Sequence, residues 1–413
     1  MADAQCHVLD TSGADPHGEA AFLRAQGPAA PVELPGGIVA WSVTRHDLIK
    51  RLAGDRRVSR DPRRHWPAFS GLPADWPLHV WVSPPSAFNA YGSEHRRLRT
   101  ILARSFTPRR TEALRPGVQA VVARQLGALE ALDAAAPGRV VDLRSRFAHM
   151  IPTEVICDLF GVPDGMRDDA RQAIHRALNT AAAPEAARAN LTALLSCLSA
   201  LVAVKRAEPG EDMTSDLIAA REEERLDEEQ LVPTLLLMIG AGSQTTVNLI
   251  AQAALKLLTH PAQLARLRSG ALAWDDVIEE TLRAEGPVRN MPLRYAVDEI
   301  DLDGVTIRQG DPILLDFGAA GRDPALHGET ADVFDAGRED KSHLAFGHGA
   351  HYCLGAALAR MEAGLALPAL FDRFPGLRLA VPEGSLRPQQ SFVANGHQEL
   401  PVVLRPVPVD DAG

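Results

Sequence analysis

Apolar residues recur along most of the chain at three- and four-residue intervals, the spacing that lines one face of an α-helix. Such stretches cover residues 110–132, 170–207, 274–285 and 354–371. The longest opens at Asp227-Glu-Glu-Gln230, where a carboxylate is followed three residues on by an amide as in a capping box. It continues to about His260-Pro261, and at 1.5 Å per residue it spans roughly 50 Å. Pro233 lies in its second turn and has no N–H to give, so the helix is expected to start somewhat later. From Leu231 to Leu255 no residue is charged, and a run of that length can cross a bilayer. Ser243, Gln244, Thr245, Thr246, Asn248 and Gln252 crowd its middle and end, however. Polar groups so concentrated are costly in hydrocarbon, and a helix buried in a protein core is the expected reading, with no membrane.

Strand-like runs are few and short: 37–43, 300–307, 311–315 and 401–404. They bracket the helices instead of alternating with them, which argues against a doubly wound parallel sheet. No internal repeat or long linker interrupts the chain. The pattern predicts a mainly α fold with a small β portion, a single domain over residues 1–413 whose first ~10 and last ~8 residues are loose. Residues 61–92 stand apart as irregular and rich in proline and aromatics, with three of the five tryptophans. Such segments are binding loops or lids in some proteins and surface loops pinned by aromatic anchors in others.

Composition narrows the class. Hydrophobic residues are 46% and charged residues 23% of 413, near the globular average, so disorder is excluded. The 53 acidic against 43 basic residues leave a net charge of −10, which argues against a nucleic-acid partner. Cys6, Cys157, Cys197 and Cys353 are scattered thiols with no framework spacing, as in a reducing compartment. The first residues carry neither a basic nor an apolar stretch, so no signal peptide is expected and the location is read as cytoplasmic. Only four of the 43 basic residues are lysine, a bias of GC-rich bacterial genomes.

The candidate chemistry centres on Phe346-Gly-His-Gly349-Ala-His351-Tyr-Cys353-Leu-Gly355, which runs into an alanine-rich helix. Helix dipole and free N–H groups favour a thiolate at such a position, and the glycines let a flat, bulky group approach the sulfur. Two other readings stand beside this one: a helix-capping turn with an inert cysteine, and a zinc site from His343, His348, His351 and Cys353. Zinc lacks the paired Cys-x-x-Cys knuckle that such sites use.

This segment resembles the haem-binding signature of the cytochrome P450 superfamily, Phe-x-x-Gly-x-x-x-Cys-x-Gly with a basic residue two before the cysteine. The resemblance implies a helical-prism P450 fold, haem b as cofactor, O2 as co-substrate and Cys353 as the axial thiolate. It extends over residues 40–405. Glu280 and Arg283, spaced to share a helical face, are similar to the family's structural Glu-x-x-Arg pair, and Arg338 to the arginine that joins it. His95 and Arg99, on one face of a basic helix, resemble the residues that bind haem propionates, as do Arg294 and His351. Ala241-Gly242-Ser243-Gln244-Thr245 resembles the oxygen-binding segment, where a local widening of the helix is expected and Thr245 serves bound oxygen. Gln244 departs from the pattern, since an acid is usual there. An amide can hold water but cannot take up and hand on a proton as a carboxylate does.

The implied activity is that of a haem-thiolate monooxygenase on a hydrophobic or aromatic secondary metabolite of an actinobacterium. Electrons are expected from a separate ferredoxin and ferredoxin reductase. Gln244 keeps a second possibility open, oxidative C–C or C–N coupling of aromatic units without oxygen insertion. Trp81, Phe88, Ile239, Val288, Asn290, Met291, Phe392 and Val393 fall in the family's substrate-recognition regions and are the expected pocket.

Overall fold

Gln230 Oε1 accepts the Asp227 backbone N–H at 3.2 Å, the return arm of a capping box, and the longest helix runs unbroken from there as Glu228–Thr259. Pro233 therefore sits inside the helix and does not delay its start. The single hydrogen bond it removes is offset by the cap and by burial of Leu231 and Leu235. Gln230, Thr234, Ser243, Thr246, Asn248 and Gln252 are buried on this helix together with its apolar face. All six are enclosed by protein, and of these the Ser243 hydroxyl has no hydrogen-bond partner.

The computed structural model describes residues 6–405 except 74–75, 77, 178–183 and 224–225. Two compact units are present, each discontinuous in sequence: residues 1–99, 279–353 and 388–396 in one, and 100–278, 354–387 and 397–413 in the other.

The first unit is built on a six-stranded sheet. Its spatial order is His7–Val8, Ala30–Leu34, Ile38–Val43, Pro312–Asp316, Asn290–Ala296 and Val58–Ser59. Parallel and antiparallel pairs mix: Ile38–Val43 runs antiparallel to Ala30–Leu34 and parallel to Pro312–Asp316. One end expected to be loose is thus anchored at His7–Val8, while 1–5 and 406–413 lie outside the described residues. Residues 300–307, read as one strand, fold as a hairpin. Asp303 and Gly304 at its tip both have positive φ, the backbone that a two-residue turn between twisted strands requires. Residues 61–92 contain short helical turns at Pro62–His65, Phe69–Gly71 and His79–Val82. Trp66 and Trp76 are buried in an apolar cluster with Leu34, Leu293 and Leu314, and Trp66 stacks on Tyr295 at 5.2 Å. These two indoles act as anchors.

The second unit packs the long helix against Met150–Phe160 and Ala356–Arg373, and Arg115–Ala135 packs on both of these. The run expected over 110–132 breaks into Pro108–Ala113 and Arg115–Ala135, because Pro116 has no N–H for a continuing helix. The run expected over 170–207 is seen as Asp164–Ala177 and Pro184–Ala207, its middle outside the described residues. Pro401–Val403 forms a small antiparallel sheet with Arg378–Leu379 and Val140–Asp142.

Within the first unit the fully buried pair Glu280–Arg283 organises the chain around it. Arg283 meets Glu280 with two N–H···O contacts at 2.8 and 2.7 Å. Its remaining donors reach the carbonyls of Gly321 and Ala331, both at 2.7 Å, and Val333 at 2.8 Å. Glu280 also accepts the Asp335 N–H at 2.8 Å, and Arg338 Nε stands 3.6 Å from it. Arg283→Met takes its partner from a buried carboxylate and from the carbonyls of Gly321 and Ala331, while Val333 keeps Arg338. It is expected to cost about 3–5 kcal/mol, read as a lower midpoint of chemical unfolding or loss of folded protein.

Candidate functional site

Gly347 and Gly349, in the loop before Cys353, both adopt left-handed backbone, with φ of +72° and +70°. At Gly349 a Cβ would stand 2.6 Å from the Ala53 carbonyl oxygen, in the helix His46–Gly54. Both φ and space therefore require glycine there. The Gly347 N–H donates to Leu344 O at 2.8 Å and the Cys353 N–H to Phe346 O at 2.9 Å, so the loop folds back on itself. Cys353 is held at its end, exposed to an incoming metal. Gly355 caps the helix Ala356–Arg373 that follows.

The zinc reading loses its ligands. His343 accepts the Ala345 N–H on Nδ1, which leaves its Nε2 to donate to Glu279 at 3.1 Å. Among the described residues no group of three His, Cys, Asp or Glu side chains is arranged to hold a metal ion. A single thiolate suits a metal that brings its own other ligands.

Around this loop the first unit gathers arginines and imidazoles. The rings of His95 and His351 lie 4.0 Å apart, and Arg99 donates to the Tyr352 carbonyl. Arg294 is 3% exposed on the strand Asn290–Ala296, just after a register shift against Pro312–Asp316. Such a bulge re-aims the side chains beside it. Its Nη1 has no hydrogen-bond partner, and burial pulls its pKa down to about 10. Burial, then Arg99, Arg60 and Arg96, lower His95 to about 4. Burial together with Arg60, His95, Arg294 and Arg99 pushes His351 well below the usual imidazole range. The charged neighbours acting on these groups are other cations. Such an arrangement calls for anionic oxygen acceptors, the kind of group that a haem propionate carries.

In the second unit the expected widening of the long helix around Gly242 is absent, and α-helical geometry is unbroken from Ala241 to Thr246. A Cβ at Gly242 would meet Ile156 at an ordinary 3.5 Å, so no crowding forces the helix open. A π-helical turn occurs instead at Arg144–Ala148. Its first residue, Arg144, is 8% exposed and donates through Nη2 to Gln244 Oε1 at 3.2 Å and Asn248 Oδ1 at 2.9 Å. A guanidinium has donors only, so it fixes both amides with their oxygens toward it and sends the Gln244 NH2 elsewhere. The Thr245 hydroxyl donates to the Ala241 carbonyl at 2.7 Å and keeps its oxygen as an acceptor.

Of the expected pocket residues, the first unit brings four together. Val288 bridges to Ala394, Asn290 Nδ2 donates to the Phe392 carbonyl at 2.9 Å, and Phe392 and Val393 are buried in the apolar cluster of Trp66. Met291 packs against a second cluster with Leu315. Phe88 lies under the Arg60 guanidinium, and Trp81 is 38% exposed. Ile239, on the long helix of the other unit, is fully buried.

Three polar residues escape sequence reasoning: Arg60, Arg144 and Glu362. Arginines in an arginine-rich chain look like surface charges, and only packing reveals two of them as buried. Glu362, 3% exposed in Ala356–Arg373, could have been noticed as an acid in the middle of an alanine- and leucine-rich helix. Its Oε2 has no hydrogen-bond partner, and burial raises its pKa to about 8.

An exposed cysteine on a glycine-bounded loop, beside buried arginines, is the arrangement expected of a haem-thiolate protein, and comparison with known proteins leads to the same class. The family model described as Cytochrome P450 matches residues 274–394. Along 96% of its length the chain is 46% identical to 2-hydroxy-5-methyl-1-naphthoate 7-hydroxylase of Streptomyces carzinostaticus, covering 97% of that protein. It is 38% identical to the cytochrome P450 monooxygenase PikC of Streptomyces venezuelae, over 95% of this chain and 92% of that one. The solved structure of CYP154A1 from Streptomyces coelicolor A3(2) superposes with a TM-score of 0.88 at 50% identity, covering 97% of this chain and all of the other. The chain belongs to the cytochrome P450 family, with haem as its cofactor and O2 as co-substrate.

Glu362 generates a pH prediction. Its folded pKa of about 8 lies above the ordinary glutamate value of 4.5, so folding takes up a proton, and stability declines as pH rises from about 4.5 to about 8. Glu362→Gln, which stays neutral, is expected to exceed the wild type by a few kcal/mol above pH 8. The advantage should shrink on acidification and vanish below about pH 4.5. Urea unfolding across pH measures it, and a pH-independent difference contradicts it.

Proposed function

We propose that this P450 is a cytoplasmic monooxygenase that hydroxylates a hydrophobic, aromatic secondary metabolite, supplied with electrons by a ferredoxin and its reductase. The observation that carries this reading is the 46% identity, over nearly the whole chain, to a hydroxylase of a naphthoate. Haem, when bound, supplies the iron at which dioxygen is reduced and its O–O bond is broken. Cys353 is the residue assigned to bind that iron, with Phe346 and Gly355 completing its signature. Thr245 Oγ1, already donating to Ala241, is suited to accept a hydrogen bond from a water that brings protons. Ala241 and Gly242 leave the helix surface beside it low. In the overall reaction one oxygen atom enters the substrate and the other leaves as water, with two electrons and two protons consumed. Trp81, Phe88, Ile239, Val288, Asn290, Met291, Phe392 and Val393 are assigned to substrate contact.

One observation favours a second reading, oxidative coupling of aromatic rings. Gln244 replaces the usual acid, and Arg144 donates to its Oε1; an amide held in this way takes up no proton to hand on. Slow proton delivery would leave time for a second ring to react.

Product mass separates the two. With ferredoxin, reductase and O2, 2-hydroxy-5-methyl-1-naphthoate and neutral fused-ring phenols are expected to gain one oxygen, and coupled products would instead lose two hydrogens. In Gln244→Glu a carboxylate beside Arg144 should stay ionised and change the ratio of product to oxygen consumed. An unchanged ratio at full haem content removes the special role of Gln244 and with it the coupling reading. Absence of any oxygenated product across the panel overturns the proposed substrate class.

A further inference from the structure

Val58–Ser59 pairs antiparallel with Asn290–Ala296, Val58 opposite Ala296 and Ser59 opposite Tyr295. One more step in that register sets Arg60 against Arg294. Like charges facing each other across strands are destabilising, and burial makes the repulsion worse. Both arginines are 3% exposed. Arg60 gives one hydrogen bond, from Nη2 to the Pro292 carbonyl at 3.1 Å, and its Nε has no partner, like Nη1 of Arg294. The other groups facing this pair are His95, His351 and Tyr295, with Arg99 beyond the imidazoles. The Tyr295 hydroxyl is itself buried without a partner. None of these brings negative charge at neutral pH; the buried carboxylate of Asp61 acts on Tyr295 but on neither guanidinium, so among the described residues neither arginine has an ion-pair partner.

The guanidinium of Arg60 also lies 3.4 Å above the ring of Phe88. Such stacking stabilises a cation and holds its plane, but it leaves the edge N–H groups in need of acceptors. A planar fork with unused edge donors, beside a second one, is the arrangement that binds carboxylates.

We propose that Arg60 is a further ligand to a haem propionate, additional to His95, Arg99, Arg294 and His351, and that its stacking on Phe88 ties residues 86–91 to the bound cofactor. No sequence motif marks it, because it reaches the cluster from a neighbouring strand. Removing it leaves one propionate short of a charge-assisted partner.

The test compares wild type, Arg60→Met and Arg60→Lys as purified holoenzymes. Two quantities are read: the rate of haem transfer to excess apomyoglobin, and the resonance Raman bending band of the haem propionates. Arg60→Met is expected to release haem on the order of 10- to 100-fold faster, the loss of one hydrogen bond to a charged group, and to shift the propionate band. Arg60→Lys, which keeps the charge but not the fork, should fall between. Unchanged release in Arg60→Met overturns the proposal. So does faster release with an unmoved band, which would mark Arg60 as a structural residue only. If Arg60→Met does not fold, the band in Arg60→Lys decides in the same way.

Discussion

The buried Glu280–Arg283 pair is the constraint on which the first unit turns. Its charges are fully desolvated, and burial on that scale is sustained only when every donor and lone pair is used. Arg283 divides its donors between the carboxylate and three carbonyls from residues 321, 331 and 333, while Glu280 also accepts the Asp335 N–H. One side chain thereby ties the end of the helix Phe317–Gly321 to two stretches of irregular backbone at Ala331 and Val333. Irregular chain can be rigid when a buried charge organises it. Beyond those turns the chain runs on into the cysteine loop, which needs a fixed backbone at Gly347 and Gly349 to present Cys353.

The cationic cluster obeys the opposite logic. Arg60 and Arg294 within it are buried with one nitrogen each left without a hydrogen-bond partner, which carries a desolvation cost. Unmet hydrogen bonding of this kind is a description of the ligand: two negative charges, with oxygen acceptors, near an exposed thiol. Binding a dianion turns a destabilising feature into an affinity, and folding energy is thereby linked to cofactor binding.

On the long helix, one buried guanidinium decides the meaning of an amide. Gln244 alone has an ambiguous orientation, carbonyl or NH2 outward. Arg144 resolves it because arginine never accepts. The same contact shows how an acid could be lost here without leaving a void in the hydrogen bonding, since an amide oxygen fills the acceptor role of a carboxylate. What is lost is the capacity to carry a proton.

The sequence by itself determined the helices and their periodic faces, the cysteine loop with its two obligatory glycines, and the Glu280–Arg283 spacing. These are local properties: a capping box, a Cβ clash, or two residues three apart on one helix are set within a few residues. It misjudged Pro233, the hairpin at Asp303-Gly304 and the widening at Gly242, where a weak local preference was overridden by burial or by a turn. Only tertiary structure decided which of the many arginines are buried. Arg60, Arg144 and Arg294 look like Arg63 or Arg97 in sequence, because burial depends on which strand or helix arrives beside them, and that depends on residues more than a hundred positions away. Glu362 likewise acquires its raised pKa from neighbours that its own helix does not name.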